Sequence, residues 1–293
     1  MGRIIGVSTS IFLLSTALLA AFFRKAKPQY SKEYWQFALR FSLPMVPHGV
    51  SQVLLGQFDR IMIQKICGNS DAGVFSLAGN VKMIAMVLND SLITTWGVWF
   101  FEKMKSGDNR EIQKRATQLC ILFCIVSVGL ISVCPELISI LGGERYEAGK
   151  FVAIPMVIDA FLVFVYSVLI QSEYYKNKTL FVMAGTLIAA AIDIILNVIF
   201  IPRYGFIAAA YTTLAAYICY LFLHFVISRL LIGFNIVPLR RLIGLILIVT
   251  ATAAWNLHFV DILWARWVAG VIIVGLMGLY LMKSLGKLGK KEC

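Results

Sequence analysis

The chain alternates long apolar blocks with short clusters of charged or turn-forming residues. About 20 apolar residues are needed to cross roughly 30 Å of hydrocarbon. Nine blocks approach or exceed that length: 4–23, 36–66, 73–100, 117–141, 151–172, 179–201, 206–228, 241–259 and 263–282. The second and third carry charges inside; the last two are the most uniform. The pattern predicts an all-α integral membrane protein of about nine spans. The first block is too long for the apolar region of a signal peptide, and its larger charge cluster follows it rather than precedes it, so it reads as a true span.

Composition fits this pattern. The 293 residues are 60% hydrophobic, with mean hydropathy +0.83, and only 14% are charged. A soluble domain of this size needs a polar skin that such a composition cannot supply. A soluble enzyme is therefore excluded. A net charge of +12 suggests nucleic acid only in a soluble protein; in a membrane protein basic residues set topology. Eighteen of the 27 Lys and Arg residues fall on one set of connections and six on the other, with Arg40, Arg60 and Lys82 inside blocks. By the positive-inside rule the C-terminus is expected to be cytoplasmic, and nine spans then put the N-terminus outside.

The informative residues are those a bilayer rejects. Arg40, His48, Asp59, Arg60, Lys82, Asp90, Asp159 and Asp193 all fall within blocks. A charged side chain at mid-bilayer costs about 2.5–3.5 kcal/mol on insertion scales. Arg40 is near a block end and can snorkel; the rest are expected to face one another or a water-filled cavity. Asp59 and Lys82 each sit roughly 10–14 Å below the outer surface on adjacent antiparallel spans. An Asp59–Lys82 or Arg60–Asp90 approach is thus within reach, and a purely structural ion pair is the bland alternative. His48 and Asp59, 11 residues apart, share a helix face, as do Lys82 and Asn89, 7 apart. Asp193 and Asn197 lie one turn apart. Three polar stripes suit a central aqueous cavity.

Pro44 and Pro47 near one end of the second block, and Pro155 near the start of the fifth, are candidate helix breaks or gates. Trp96 and Trp99 mark an interface belt. Cys120 and Cys124 are one turn apart without further ligands, so packing explains them better than a metal. No metal site, cofactor fingerprint, catalytic triad or disulfide framework is expected.

The run Phe41-Ser42-Leu43-Pro44-Met45-Val46-Pro47, continuing to Phe58-Asp59-Arg60-Ile61-Met62-Ile63, resembles the opening of the C-terminal half of polysaccharide flippases. The turn Gly68-Asn69-Ser70-Asp71-Ala72-Gly73, the segment from Trp96 to Glu102, and the stretch from Asn197 through Ile201-Pro202-Arg203-Tyr204-Gly205 to Thr213 are similar to that family's further motifs. Together they cover about residues 35–230. The resemblance implies the multidrug/oligosaccharidyl-lipid/polysaccharide exporter superfamily, in its Wzx-like O-antigen and capsule repeat-unit branch.

The resemblance further implies two helix bundles around a central cavity. It implies flipping of undecaprenyl-pyrophosphate-linked oligosaccharides across a bacterial plasma membrane by alternating access, with no cofactor and no nucleic-acid partner. Arg60 matches the family's Asp-Arg pair, while Lys82 is placed by its depth in the membrane alone; both are expected to line the cavity and meet the anionic head group. On this reading residues 1–34 are the last helix of an N-terminal bundle plus a linker, 35–230 the C-terminal six-helix bundle, and 231–293 two further helices and a basic tail. The chain is then expected to be incomplete, or to need a partner half or other polysaccharide-assembly proteins. A multidrug/cation antiporter, binding cations at Asp59, Asp159 and Asp193, or a lipid II flippase is the alternative within the superfamily. A polytopic scaffold or glycan polymerase is the alternative outside it.

Overall fold

The computed structural model describes residues 2–26 and 30–289. Lys27, Lys290 and Lys291, three of the 18 basic residues on one set of connections, lie outside the described residues. The chain divides into two units between Ser42 and Leu43. The smaller contains α1 (Gly2–Lys25) and α2 (Lys32–Ser42). The larger contains α3 (Met45–Ile66), α4 (Asn69–Ser106), α5 (Asn109–Gly142), α6 (Lys150–Leu169), α7 (Gln171–Tyr175), α8 (Thr179–Tyr204), α9 (Phe206–Val226), α10 (Leu239–His258) and α11 (Leu263–Gly289).

Eight of the described helices are long and apolar enough to cross a membrane, and the chain is a multi-pass membrane protein. The ninth long helix, α3, has 22 residues, but Gln52, Gln57, Asp59, Arg60 and Gln64 lower its apolarity.

The helix ends follow local chemistry. The block read as 36–66 is two helices. Proline disfavours helical backbone in the residue before it and has no N–H to donate, so the chain turns at Leu43-Pro44. Arg40 consequently sits on α2 and not within a span. Pro47 falls in the first turn of α3, where its missing N–H costs nothing. Pro155 does not break α6, which runs through it without interruption. It stands only five residues past Lys150, so it removes at most one early hydrogen bond. Gly107 closes α4 in the left-handed region (φ 74°), and the next residue, Asp108, caps α5 by accepting from the Glu111 N–H at 3.1 Å.

Within the larger unit α6 is the central helix: every residue from Val152 to Leu169 is buried. It packs on α4, α5, α9 and α10. A helix that is apolar on every face except for one acid, Asp159, belongs in an interior. The pair α3–α8 packs on α4 and α9, and α11 lies outside on α5. Arg266 of α11 makes a bidentate pair with Glu136 of α5, the half-buried carboxylate holding an almost fully buried guanidinium. Cys124 lies 3.9 Å from the Met277 sulfur, which fits its reading as a packing residue.

Candidate functional site

The polar residues inside the larger unit form a connected set. On α3, His48 Nδ1 meets the Thr186 hydroxyl of α8 at 2.6 Å. Eleven residues later Asp59 accepts from the Asn197 amide at 2.7 Å. Thr186 and Asn197 are also 11 apart, so α3 and α8 run parallel with matched faces. Eleven residues are close to three full turns, which returns both pairs to one seam.

From α9, the Thr213 hydroxyl donates to the other Asp59 oxygen at 2.7 Å, and Thr212 donates to Asn197 Oδ1 at 2.5 Å. Asp193, fully buried one turn before Asn197, faces Asp59 and Thr213; neither of its oxygens completes a well-formed hydrogen bond. Asn197, Asp193 and Asp59 are all nearly inaccessible.

The neighbouring part of the set is ionic. Lys82 of α4 points at Asp159 of α6, with Nζ 3.6 Å from the carboxylate and 5.2 Å from the centre of the Tyr217 ring on α9. Asp159 is 1% exposed, Lys82 21%. The pair is an ion pair without a hydrogen bond, since neither Asp159 oxygen has a hydrogen-bond partner. Counting Asp59, Asp159 and Asp193 against Lys82, the buried set holds more carboxylates than cations.

These contacts correct the pairings expected from depth along the chain. Lys82 does not pair with Asp59; its partner is Asp159, because α4 packs on α6 as well as on α3. Arg60 and Asp90 make no ion pair with each other. Both are exposed, and Asp90 accepts from the Asn89 amide at 2.9 Å. Asn89 is buried, its own carbonyl oxygen without a partner.

A second polar group was not singled out from the sequence. His224 of α9 and Glu173 of α7 approach to 2.6 Å, both fully buried, beside a Ser172–Ser228 hydroxyl contact at 3.0 Å. Thr186 links this region to His48 through the Tyr220 hydroxyl at 2.8 Å. The signal was present: Thr213, Tyr217, Tyr220 and His224 recur at helical spacing on one face of α9. Gly185 permits the close approach of α8 there. A Cβ on it would stand 2.6 Å from His224 Nε2 and 3.1 Å from the Tyr220 ring. Gly185→Ala is therefore expected to destabilise the bundle by about 1–3 kcal/mol despite its better helix propensity. Thermal unfolding in detergent checks this; an unchanged or raised midpoint would show that His224 yields freely.

Among the described residues no group of three or more His, Cys, Asp or Glu stands close enough to hold a metal ion. No known family model matches the sequence. Solved structures do match in shape. Lipid II flippase MurJ, in an inward closed conformation, superposes with a TM-score of 0.58 over 89% of this chain and 57% of its own, at 16% identity. A transporter of the MOP superfamily from Pyrococcus furiosus gives 0.53 over 74% of this chain and 51% of its own, at 18% identity.

The fold is that of the MOP-superfamily transporters. Among curated proteins, protein 1 of the Lsg locus of Haemophilus influenzae is 25% identical over 156 residues, which is 51% of this chain and 39% of that protein. The chain thus spans about half the length of the MOP-superfamily structures it matches, and less of the curated relative.

Proposed function

We propose that the chain moves a lipid-linked oligosaccharide, carried on undecaprenyl pyrophosphate, between the leaflets of a bacterial plasma membrane by alternating access. On this reading residues 35–230 act as one of two bundles that together enclose the path, and the residue 18-to-6 basic asymmetry puts the C-terminus in the cytoplasm. One observation carries the proposal: a set of buried, incompletely paired ions lies inside a fold shared with transporters. Intramembrane charges at such cost mark a substrate or ion path. Arg60 and Asp90 stand on exposed faces of α3 and α4, and Lys82 of α4 is partly exposed. Arg60 and Lys82 are the cations offered to a pyrophosphate. Pro44 and Pro47, at the start of α3, are the proposed gate.

The excess of carboxylates over cations around Asp59 and Asp193 supports a coupling role. Two carboxylates side by side in a low-dielectric interior need a compensating positive charge. A proton or a monovalent cation supplies it in one state of the cycle, and its release frees α3 and α8 to shift. A lipid II flippase fits the same fold and the same ions.

The test is complementation of a flippase-deficient strain, with lipid-linked oligosaccharide at the outer leaflet measured directly. Arg60→Ala and Lys82→Ala are expected to lower translocation by about tenfold or more, and Lys82→Arg to retain part of it. Unchanged translocation in both alanine variants would remove the head-group role.

A further inference from the structure

We propose that the chain binds an anionic glycerophospholipid where α5 and α10 begin and α11 ends. Its head group would sit on Arg110, Lys114 and Arg241, with an acyl chain between α10 and α11. This site lies on the far side of α5 from α3 and α8, and uses none of the residues assigned to translocation.

The head-group part is a cleft of about 290 Å³ walled by those three basic residues, Ser284 and Tyr280, with no carboxylate in its lining. The acid of the same turn is committed elsewhere: Glu111 pairs with Lys103 at 2.7 Å and Arg115 at 3.9 Å. Arg110 and Lys114 make no ion pair among the described residues, and Arg241 reaches only the Thr117 hydroxyl, at 3.4 Å. The start of α10, whose cap position is Pro238 with no side-chain hydrogen bond, forms part of the wall. Helix starts favour anions. Gln118, 6% exposed and lining the cleft, gives its amide to Ser284 and leaves its carbonyl oxygen unpartnered. A head-group hydroxyl would supply the donor that this oxygen lacks.

The second part is apolar. A groove of about 300 Å³ shares Thr117, Ile121, Arg241 and Tyr280 with the cleft, then follows Gly244, Ile248, Leu276 and Met277. From Arg241 to Ile248 it descends about 10 Å along α10. A Cβ on Gly244 would meet nothing within 4 Å, so this wall is open. Three unpaired cations opening onto an apolar channel match an amphiphile with an anionic head. Inorganic phosphate leaves the channel empty, and a zwitterionic head brings a cation against three others. Basic pockets between membrane helices hold anionic lipid head groups in this way.

The test uses the full chain purified in neutral detergent. Native mass spectrometry and thermal unfolding are followed with phosphatidylglycerol, phosphatidylcholine of the same acyl chains, undecaprenyl phosphate and inorganic phosphate. Phosphatidylglycerol is expected to remain bound and to raise the unfolding midpoint, and phosphatidylcholine and phosphate are not; any retention of undecaprenyl phosphate, the carrier class of the proposed substrate, is expected to be unchanged by substitutions at Arg110, Lys114, Arg241 or Gly244. Arg110→Gln/Lys114→Gln/Arg241→Gln is expected to weaken retention by about tenfold or more. Gly244→Phe, which fills the channel and keeps every charge, is expected to do the same. Equal retention of phosphatidylcholine, an equal shift with phosphate, or binding of undecaprenyl phosphate alone would overturn the proposal. If the triple variant does not fold, Arg241→Gln and Gly244→Phe decide; full retention in both overturns it.

Discussion

Asp193→Asn is expected to make the protein more stable and to stop it working. The carboxylate is fully buried, faces the carboxylate of Asp59, and has no well-formed hydrogen bond to either oxygen. An ionised carboxylate in such a place carries an effective penalty of several kcal/mol. Asparagine keeps the shape, removes the charge and turns a repelling neighbour of Asp59 into a donor. A gain of about 1–3 kcal/mol in unfolding free energy is expected, read as a raised thermal midpoint. Translocation is expected to fall to background, because the site can no longer change its charge state when its cation leaves. Stability held back at a functional site is a common trade. A lowered midpoint, or full translocation in the variant, would remove Asp193 from the coupling role.

Lys82→Met should have the opposite effect on stability. It leaves Asp159, 1% exposed and without a hydrogen-bond partner, as an uncompensated buried charge. Breaking one side of a buried pair costs about 3–5 kcal/mol, whereas replacing both sides by apolar residues is often neutral or stabilising. Lys82→Met is therefore expected to lower the thermal midpoint sharply, and Lys82→Met/Asp159→Leu to recover most of the loss. Translocation separates structure from function: the double variant is expected to fold and not to transport. If the single variant is as stable as the parent, the Lys82–Asp159 contact is not an energetic pair. If the double variant transports normally, Lys82 serves only to hold α4 on α6.

Much of the candidate site was legible because helical geometry is local. The 11-residue spacing placed His48 and Asp59 on one face of α3, and both contact α8 from that face. Asp193 and Asn197 stand one turn apart on α8, as their numbers require. Their partners were not legible. Depth along the chain matched Lys82 to Asp59, yet Asp159 on α6 takes the contact. Residues of equal depth occur on every span, and depth carries no information about which helices touch. Thr213, Tyr217, Tyr220 and His224 form a readable face on α9, but one that gains meaning only once Asp59 and Glu173 are seen against it.

The sequence by itself determined the helices, their approximate ends and the residues that a bilayer cannot accept. Hydrogen bonding obliges a membrane-spanning segment to be helical, and caps such as Asp108 and breaks such as Leu43-Pro44 act over a few residues. Only the tertiary structure decided which helix is central and which ions meet. In water a buried face is more apolar than an exposed one; in lipid both are apolar, so α6, buried all round, and α11, mostly exposed, read alike along the chain. Burial, pairing and the unbalanced carboxylates around Asp193 therefore emerge from packing, where small residues such as Gly185 let particular helices approach.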